Sequence, residues 1–382
     1  MFNICYGIPN ILLSKGKFMK ILVGISGGVD SAVAAYLLKQ QGHEVIGATM
    51  SIWGKNGVQK KIQEKMEKLK TKSTHGACYG PDEKEDIEAG RKICEQLGIP
   101  YHVFDCAEQY EAIVLENFKK EYLQGRTPNP CIWCNSLIKF DVLPKIAKLN
   151  NIEFDKFATG HYAKVVEENG RFYLKRGSNL KKDQSYFLYR LTQEQLKNII
   201  LPLGEYTKEE IREIAKNAEI PVHDKPDSQD FYEGDYNELL EVQDKIGNIV
   251  DKSGKILGTH NGIWNYTIGQ RKGLGVSSTE ALYVIELRKD TNEVVVGFKD
   301  ETMKDELVAT KLNWIAFDKI PEKLKCMAKI RSTQDLTPVE ILSINKENVK
   351  VHFENMQKSI AIGQSVVFYD NDIVLGGGII DA

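Results

Sequence analysis

The sequence predicts an α/β protein in three parts: an N-terminal domain built on a parallel sheet, a small central domain and a C-terminal β-barrel domain. Before residue 160, short apolar runs alternate with helical segments, which is typical of βαβ units in a covered sheet. From Leu282 onward, short β-rich runs are separated by polar turns, which favours a small closed or nearly closed barrel. A length of 382 residues suits two or three domains of about 100–200 residues.

The N-terminal elements follow in order. The apolar run 20–25 ends in glycines and predicts a buried strand. Helix and strand pairs are predicted at 30–41 with 44–50, 87–97 with 101–104, and 136–149 with 154–159. Residues 162–176 predict a hairpin that turns at 168–170, and Thr207 with Glu210 predicts a capping box at a helix start. The expected domains are 19–215, 216–280 and 281–382.

The C-terminal strands are predicted from seven β-rich runs. These runs are LYVIEL (282–287), EVVVGF (293–298), CMAKIRS (326–332), VEILSI (339–344), VKVHF (349–353), QSVVFY (364–369) and IVLGGGII (373–380). All seven are assigned to the barrel.

Composition limits the class of protein. Fifty-one Lys and Arg residues against 53 Asp and Glu give a net charge of −2, which disfavours a strongly basic nucleic-acid coat protein but permits a local basic surface. No apolar run approaches the roughly 18–20 residues of a membrane span. Seven cysteines, an odd number, do not suggest a secreted disulfide framework. Residues 1–18 lack a basic leader and are interpreted as a dispensable extension, and we expect a cytoplasmic protein.

The segment 55–75 holds seven lysines and two glutamates and has no evident buried face. A solvated loop or helical insertion is the favoured interpretation. An RNA-contacting arm is the alternative.

A glycine-rich segment, Gly24–Ser31, lies between the first predicted strand and helix. Its glycines permit close backbone approach, and the N-terminus of the following helix attracts anionic oxygens. Ser26 and Ser31 can add hydroxyl donors, and Asp30 could orient a metal or cap the helix. The spacing fits neither a Walker A loop nor a dinucleotide fingerprint, and a purely structural turn remains an alternative.

A second segment, GRTPNPCIWCNSLIKF (125–140), carries two cysteines at CxxC spacing in a proline-rich loop. Cys134 precedes a helix predicted to start near Asn135. A thiolate is stabilised at a helix N-terminus, which favours nucleophilic or sulfur-transfer chemistry. A buried, inert cysteine is the alternative.

The string SGGVDS resembles the pyrophosphate-loop signature of adenylylating enzymes, which have an adenine nucleotide α-hydrolase-like domain. From about Met19 to its end, the chain resembles the tRNA-specific 2-thiouridylase family (MnmA type). The motifs that carry this resemblance are SGGVDS, GRTPNPC..CN..IKF, ATGHYA, KDQSYFL, TIGQRKGLG and LGGGII. It implies that the wobble uridine of tRNA (position 34) is adenylylated at its C2 oxygen, which sulfur then replaces with release of AMP and pyrophosphate.

The resemblance also implies which residues act. Cys134 aligns with the family's first catalytic cysteine, and Cys131 falls where the loop approaches the target base. ATP, with Mg²⁺, would bind Gly24, Ile25, Ser26, Gly27, Gly28, Val29, Asp30 and Ser31, near Met50 and Gly160. Contacts to tRNA would come from Asn129, Pro130, Cys131, His161, Lys182, Asp183, Gln184, Arg331 and Gln364. The expected partners are tRNAs that accept Lys, Glu and Gln, and a sulfur-donor protein or free sulfide, with no membrane.

Two departures change the expected chemistry. The family commonly has Asp where this chain has Cys131, and Tyr232 stands at about the position of its second catalytic cysteine. Two roles are therefore expected as alternatives for Cys131 and Cys134: a redox pair, or ligation of a [4Fe-4S] cluster with a third cysteine, for which Cys78 and Cys106 are candidates. The cluster is slightly favoured, and zinc is the weakest alternative because no second CxxC pair is present.

Two other functions compete. A pyrophosphate-loop ligase or amidotransferase acting on a small molecule would need neither the cysteine loop nor the C-terminal domain. A non-catalytic RNA-binding relic is disfavoured by the intact SGGVDS and Cys134.

Overall fold

The computed structural model describes residues 18–54, 59, 60, 62, 64, 77–221, 231, 232, 234–319 and 321–381. Its first elements are β1 (Lys20–Gly24), α1 (Val29–Gln40), β2 (Glu44–Ser51), α2 (Glu83–Leu97), β3 (Tyr101–Asp105), α3 (107–122), α4 (130–149), β4 (Lys156–Ala158), β5 (Ala163–Glu168), β6 (Arg171–Arg176), α5 (Gln193–Asn198), β7 (Ile199–Ile200), α6 (Lys208–Asn217) and α7 (Tyr236–Leu240). These match the predicted pairs, the hairpin and the capping box of Thr207.

The remaining elements are strands and short 3₁₀ turns. The strands are β8 (Gly247–Val250), β9 (Ile256–His260), β10 (Tyr283–Arg288), β11 (Glu293–Gly297), β12 (Met303–Trp314), β13 (Lys323–Lys329), β14 (Thr337–Ser343), β15 (Val349–Lys358), β16 (Ser365–Asp370) and β17 (Ile373–Ile380). The 3₁₀ turns are Ser185–Leu188, Ile263–Asn265 and Lys299–Thr302.

The N-terminal sheet of the described chain has five parallel strands in the order β3-β2-β1-β4-β7. Ile21 and Val23 of β1 pack in the cluster that contains α1, while Leu22 packs in the cluster that contains α4. Alternate residues of a strand point to opposite faces, so helices cover both faces. This explains the continuous apolar run of β1 and confirms the predicted α/β class.

Helices α3 and α4 each contain a π-helical segment, at Glu111–Leu115 and Cys134–Val142. Such widened turns are rare and occur frequently at functional sites. The segment in α4 begins at Cys134.

The central domain contains a four-stranded sheet in the order β10-β11-β8-β9. The runs 282–287 and 293–298, predicted to belong to the barrel, form β10 and β11 of this sheet, so that assignment was wrong. The physical reason is the parallel pairing of β11 with β8, in which Val294 lies opposite Ile249. The sheet therefore crosses the predicted boundary between residues 280 and 281.

The C-terminal domain is a closed barrel, as predicted. Its strands follow the order β12-β15-β14-β13-β16-β17, and β12 pairs with β17 to close it. Strand β12 was absent from the predicted runs. The β5–β6 hairpin extends this sheet, because Lys175 pairs with Ile373 of β17.

Some predicted features lie outside the described residues: residues 1–17 of the extension, most of the lysine-rich segment 55–75, and 227–230 beside Tyr232. Among the helices that are described, none is long and apolar enough to cross a membrane.

Candidate active site

The glycine-rich segment makes the turn from β1 into α1. The Ser26 backbone N–H donates to Ser31 Oγ at 3.1 Å, and the two hydroxyl oxygens lie 3.2 Å apart. The Ser31 hydroxyl also donates to the Gly28 carbonyl at 3.1 Å. These bonds curve the loop around the N-terminus of α1, where backbone amides and the helix dipole favour anionic oxygens.

Two glycines make the close packing of this loop possible. Gly27 has φ +73°, and a Cβ placed there would lie 2.5 Å from the backbone oxygen of Asp86. A Cβ on Gly160 would lie 2.7 Å from the Asp30 carbonyl carbon. The segment after β4 therefore lies directly on the start of α1, which brings Gly160 to the predicted nucleotide loop. Met50 lies on the neighbouring strand β2.

Asp30 is held by residues from two later elements. Lys208 Nζ lies 2.8 Å from Asp30 Oδ1 and 2.9 Å from Oδ2, and the Tyr162 hydroxyl donates to Oδ1 at 2.7 Å. The Lys208 side chain is 7% exposed. The N-cap of α1 is Gly28 and not Asp30, and the contacts of Asp30 fix α1 against α6. Sequence reasoning missed Lys208, whose partner is 178 residues away.

The cysteine loop differs from its predicted form. Helix α4 begins at Pro130, with Asn129 as N-cap, rather than near Asn135. Proline suits the first helical position because its missing N–H has no intrahelical partner there. Cys131 therefore lies in the first turn, and Cys134 lies one turn further in and is buried. The expectation that Cys134 stands at the helix N-terminus was wrong.

The thiol of Cys78, from a distant segment, lies near that of Cys131, and hydrogen bonding between them shifts the pKa of both. This bond lowers the pKa of Cys131 and is the main cause that raises the pKa of Cys78 well above its ordinary value. Cys78 is exposed when the whole residue is considered, although protein surrounds its thiol. Cys131 is half-buried. The contact therefore favours ionisation of Cys131 over ionisation of Cys78.

The other two cysteines nearby are buried. Burial raises the pKa of Cys134 to about 12 and that of Cys106 to about 12. The two thiols are close enough for the charge of Cys134 to contribute to the shift of Cys106. Burial in apolar surroundings keeps a thiol protonated and unreactive.

Lys139 and His161 connect the thiols to the nucleotide loop. The charge of Lys139 helps to lower the pKa of Cys131 and partly offsets the rise that burial gives to the pKa of Cys134. Burial, assisted by Lys139, holds the pKa of His161 well below its usual value, so its imidazole is neutral at pH 7. The His161 ring lies 5.6 Å from that of Phe140 and its Nδ1 is 2.8 Å from Thr159 Oγ1. Gly160 packs on the nucleotide loop, and the next residue, His161, lies beside Phe140 of the cysteine helix. The loop and the thiols therefore belong to one site.

Three predicted tRNA contacts line one cavity of about 620 Å³ between the cysteine loop, the central domain and the barrel: Asn129, Arg331 and Gln364. The Gln364 amide donates to the Thr127 carbonyl at 2.9 Å, and Arg331 donates to the Ser359 carbonyl at 2.6 Å. The barrel therefore braces the cysteine loop and also contributes a cation to the cavity.

The remaining predicted contacts divide by burial. The Asp183 side chain is 1% exposed and accepts from the Gly177 and Ser185 backbone N–H groups, each at 3.1 Å. It therefore organises its loop and presents no surface for a direct tRNA contact. Gln184 accepts from the Tyr162 N–H at 2.9 Å, and Lys182 is exposed.

The residues of the nucleotide loop fit the phosphates of ATP. The tight loop at the start of α1 offers amides and hydroxyls to phosphates, and ATP chemistry of this kind uses Mg²⁺ to neutralise phosphate charge. In the described part of the chain, no group of three or more His, Cys, Asp or Glu side chains could hold a metal ion.

The fold and the site define a class of protein: a HUP domain with a phosphate loop and a thiol site, followed by two β domains. The tRNA methyl transferase HUP domain model matches residues 19–232, the tRNA methyl transferase PRC-barrel domain model matches 239–298, and the aminomethyltransferase beta-barrel domain model matches 304–380.

Named relatives cover nearly the whole chain. The tRNA-specific 2-thiouridylase MnmA of Endomicrobium trichonymphae is 50% identical over 95% of this chain and 99% of its own. That of Clostridium botulinum (strain Alaska E43 / Type E3) is 45% identical over 95% of this chain and 98% of its own. The chain belongs to the tRNA-specific 2-thiouridylase family.

Proposed function

We propose that this protein is a tRNA-uridine 2-sulfurtransferase. It uses ATP to adenylylate the C2 oxygen of the wobble uridine at position 34, and sulfur then replaces that oxygen with release of AMP and pyrophosphate. The observation that carries this proposal is the continuity of the phosphate loop with the thiols, since Gly160 packs on α1 and the adjacent His161 lies beside Phe140 of the cysteine helix. Activation and sulfur delivery thereby share one site.

The nucleotide loop provides binding and orientation for the first step. Amides at the start of α1, with the hydroxyls of Ser26 and Ser31, hold the phosphates of ATP so that the α-phosphate faces the uridine oxygen. Lys208 and Tyr162 fix Asp30 and so keep this end of α1 in place. Mg²⁺, when bound with ATP at this loop, would supply charge neutralisation for the phosphates.

The wobble base reaches the thiols by leaving its stack, which costs little in a single-stranded anticodon loop. The cavity that Asn129, Arg331 and Gln364 line opens beside the cysteine loop and accepts the anticodon stem-loop. Lys182 adds an exposed cation. Neutral His161 is buried beside Lys139 and positions the base without adding charge near the developing adenylate.

The tRNA partners are those that accept Lys, Glu and Gln, and the sulfur comes from a donor protein or free sulfide in the cytoplasm. A [4Fe-4S] cluster on Cys131 and Cys134 is the alternative route for sulfur. A redox pair of Cys131 with Cys134 is the dithiol route, which needs no iron. Anaerobic purification with iron and sulfide assays separates the two, because a colourless, iron-free and fully active protein excludes the cluster.

The direct test is a thiolation assay with unmodified tRNA, ATP, Mg²⁺ and sulfide, read by mass spectrometry of nucleosides. We expect 2-thiouridine at position 34 and one AMP for each thiolated base. The matched control is the same tRNA with cytidine at position 34, which should yield neither product. Pyrophosphate release that responds to small carboxylates and not to tRNA would instead indicate a small-molecule ligase.

A further inference from the structure

Trp133 stands between the two cysteines of the proline-rich loop, in the first turn of α4, and is half-buried. Two cations from later segments of the chain lie over its indole ring. The guanidinium carbon of Arg190 is 4.6 Å from the ring centroid, and Lys311 Nζ is 5.8 Å from it. A cation is attracted by the negative charge on the face of an aromatic ring. These three side chains are called the Trp133 clamp.

Lys311 reaches the indole from a bulge in the barrel strand β12. Between Thr310 and Asn313, the register of β12 against β17 shifts by one residue. Lys311 lies in this bulge with φ +49°, in the left-handed region where a side chain is strained and glycine is not. Bulges re-aim side chains and are frequent next to active sites. A lysine at this strained position supplies what glycine would not, namely the contact with Trp133.

Arg190, the second cation, is tied to the same bulge. Its guanidinium donates to the Lys311 carbonyl at 3.0 Å. The carbonyls on either side of it, those of Tyr189 and Leu191, accept from the side-chain amide of Asn313 at 2.7 Å and 3.2 Å. Because Asn313 and Lys311 both belong to β12, this one strand fixes the position of both cations over the ring.

The barrel also contacts the segment that leads into α4. Arg126 Nε lies 2.5 Å from Glu121 Oε2, and its Nη1 lies 2.7 Å from Asp381 Oδ1, just after the end of β17. Lys311 Nζ lies 3.9 Å from Glu121 Oε1, whose side chain is 11% exposed. The entrance to the cysteine helix and its first turn are therefore both held by the barrel.

We propose that Trp133 is a positioning residue for sulfur transfer, through which the bulge of β12 holds the first turn of α4 in place. This inference rests on the proposed function, because both routes for sulfur use Cys131 and Cys134 of this turn. A misplacement of reacting groups by about 1 Å can cost about 100-fold in rate. The nucleotide loop lies on other elements, β1 and α1, so the Trp133 clamp acts on the rate of thiolation and not on ATP binding.

Lys311→Gly tests this role, because it removes the cation over Trp133 and also relieves the left-handed strain. With sulfide as donor, we expect kcat for tRNA thiolation to fall about 10-fold while KM for ATP stays unchanged. The melting temperature should stay within about 3 °C of that of the unaltered protein, since the relieved strain offsets the freedom that glycine adds to the unfolded chain. A purely structural residue would lose stability and activity together.

Glu219→Gly is the matched control. Glu219 also has left-handed backbone, with φ +54°, and lies just beyond the end of α6. Its replacement should leave kcat unchanged and keep the melting temperature within the same range. A loss of kcat in this control as large as that in Lys311→Gly would mean that the effect comes from the added glycine and not from the Trp133 clamp.

Hydrogen exchange measures how firmly the turn is held, without any assay of activity. In Lys311→Gly and in Trp133→Leu, the amides of residues 134–138 should exchange about 10-fold faster, while those of β1 and α1 keep their rates. Trp133→Leu should also lower kcat about 10-fold. Trp133→Phe keeps a ring for the two cations and should restore kcat to within about 3-fold of that of the unaltered protein.

The inference is overturned if exchange in Lys311→Gly keeps the unaltered rates, or if its kcat equals that of the unaltered protein. Should Trp133→Leu fail to fold, Lys311→Gly still decides the question. If the unaltered protein makes no 2-thiouridine, the proposed function fails. The exchange rates then still show whether the Trp133 clamp holds the turn, so the two failures are distinguishable.

Discussion

The nucleotide loop and the thiol site are assembled in opposite ways. The loop consists of consecutive residues, Gly24–Ser31, between a strand and a helix. The thiol site joins residues 78 and 79, the first turn of α4, and residues 231 and 232. A local turn is specified by nearby residues, whereas the thiols meet only when distant segments pack. The two regions should therefore respond differently to substitution.

The largest contrast is expected within the thiol site, between Cys131 and Cys134. With a pKa of about 12, Cys134 is ionised in only about one molecule in ten thousand at pH 8. The pKa of Cys131 is below that of an ordinary thiol. We expect iodoacetamide to alkylate Cys131 at least about 100-fold faster than Cys134 at pH 8, measured by peptide mass spectrometry.

The pH profile checks the cause of this contrast. Because the pKa of Cys131 is lowered, its alkylation should persist to lower pH than that of a free cysteine, and fall only as pH drops through its own pKa. Cys78→Ser removes the thiol donor that contributes most to the shift, so the profile should move to higher pH. An unchanged profile would contradict the thiol pair.

A methyl group in the nucleotide loop should have the next largest effect. Gly27→Ala places a Cβ 2.5 Å from a backbone oxygen at φ +73°, which distorts the loop. We expect kcat/KM for ATP to fall about 100-fold. Gly42→Ala is the matched control, since Gly42 has φ +86° but no atom within 4 Å of its Cβ. Equal losses in both variants would mean that the close approach at Gly27 is unimportant.

Removing the buried lysine should affect stability. Lys208→Met leaves Asp30 without its cation, and we expect the free energy of unfolding to fall by about 2–3 kcal/mol, since breaking a buried pair costs about 3–5 kcal/mol and Asp30 is 28% exposed. Lys145→Met breaks the exposed pair with Asp141 and should cost under about 0.5 kcal/mol. Urea denaturation compares them, and similar losses would argue against the ion pair.

The smallest effect is expected where the barrel braces the cysteine loop. Gln364→Leu removes the amide that donates to the Thr127 carbonyl at 2.9 Å. Loss of one such bond costs about 1 kcal/mol, which corresponds to about a 5-fold rise in KM for tRNA. Steady-state kinetics at varied tRNA concentration measures it, with sulfide as donor. A rise in KM for ATP without a rise in KM for tRNA would contradict a role of Gln364 in supporting the tRNA cavity.

Prediction succeeded where neighbours in sequence are also neighbours in space. The βαβ order, the hairpin at 168–170 and the capping box of Thr207 all depend on local periodicity or turn chemistry. It failed for β10 and β11, because β11 pairs with β8, which lies far back along the chain, and β10 pairs with β11. Sequence prediction also placed the start of α4 near Asn135. It took Pro130 as a residue that disfavours a helix, whereas Pro130 is the first helical residue.

The sequence by itself determined the α/β class, the nucleotide loop and the presence of two cysteines in a proline-rich segment. Only the tertiary structure decided which thiol Cys131 contacts, and that Lys208 holds Asp30. The reason is physical: the electrostatics of a thiol or carboxylate depend on burial and on charges within a few ångströms. Those neighbours come from segments that are far apart along the chain, and no local sequence pattern indicates that the segments will meet.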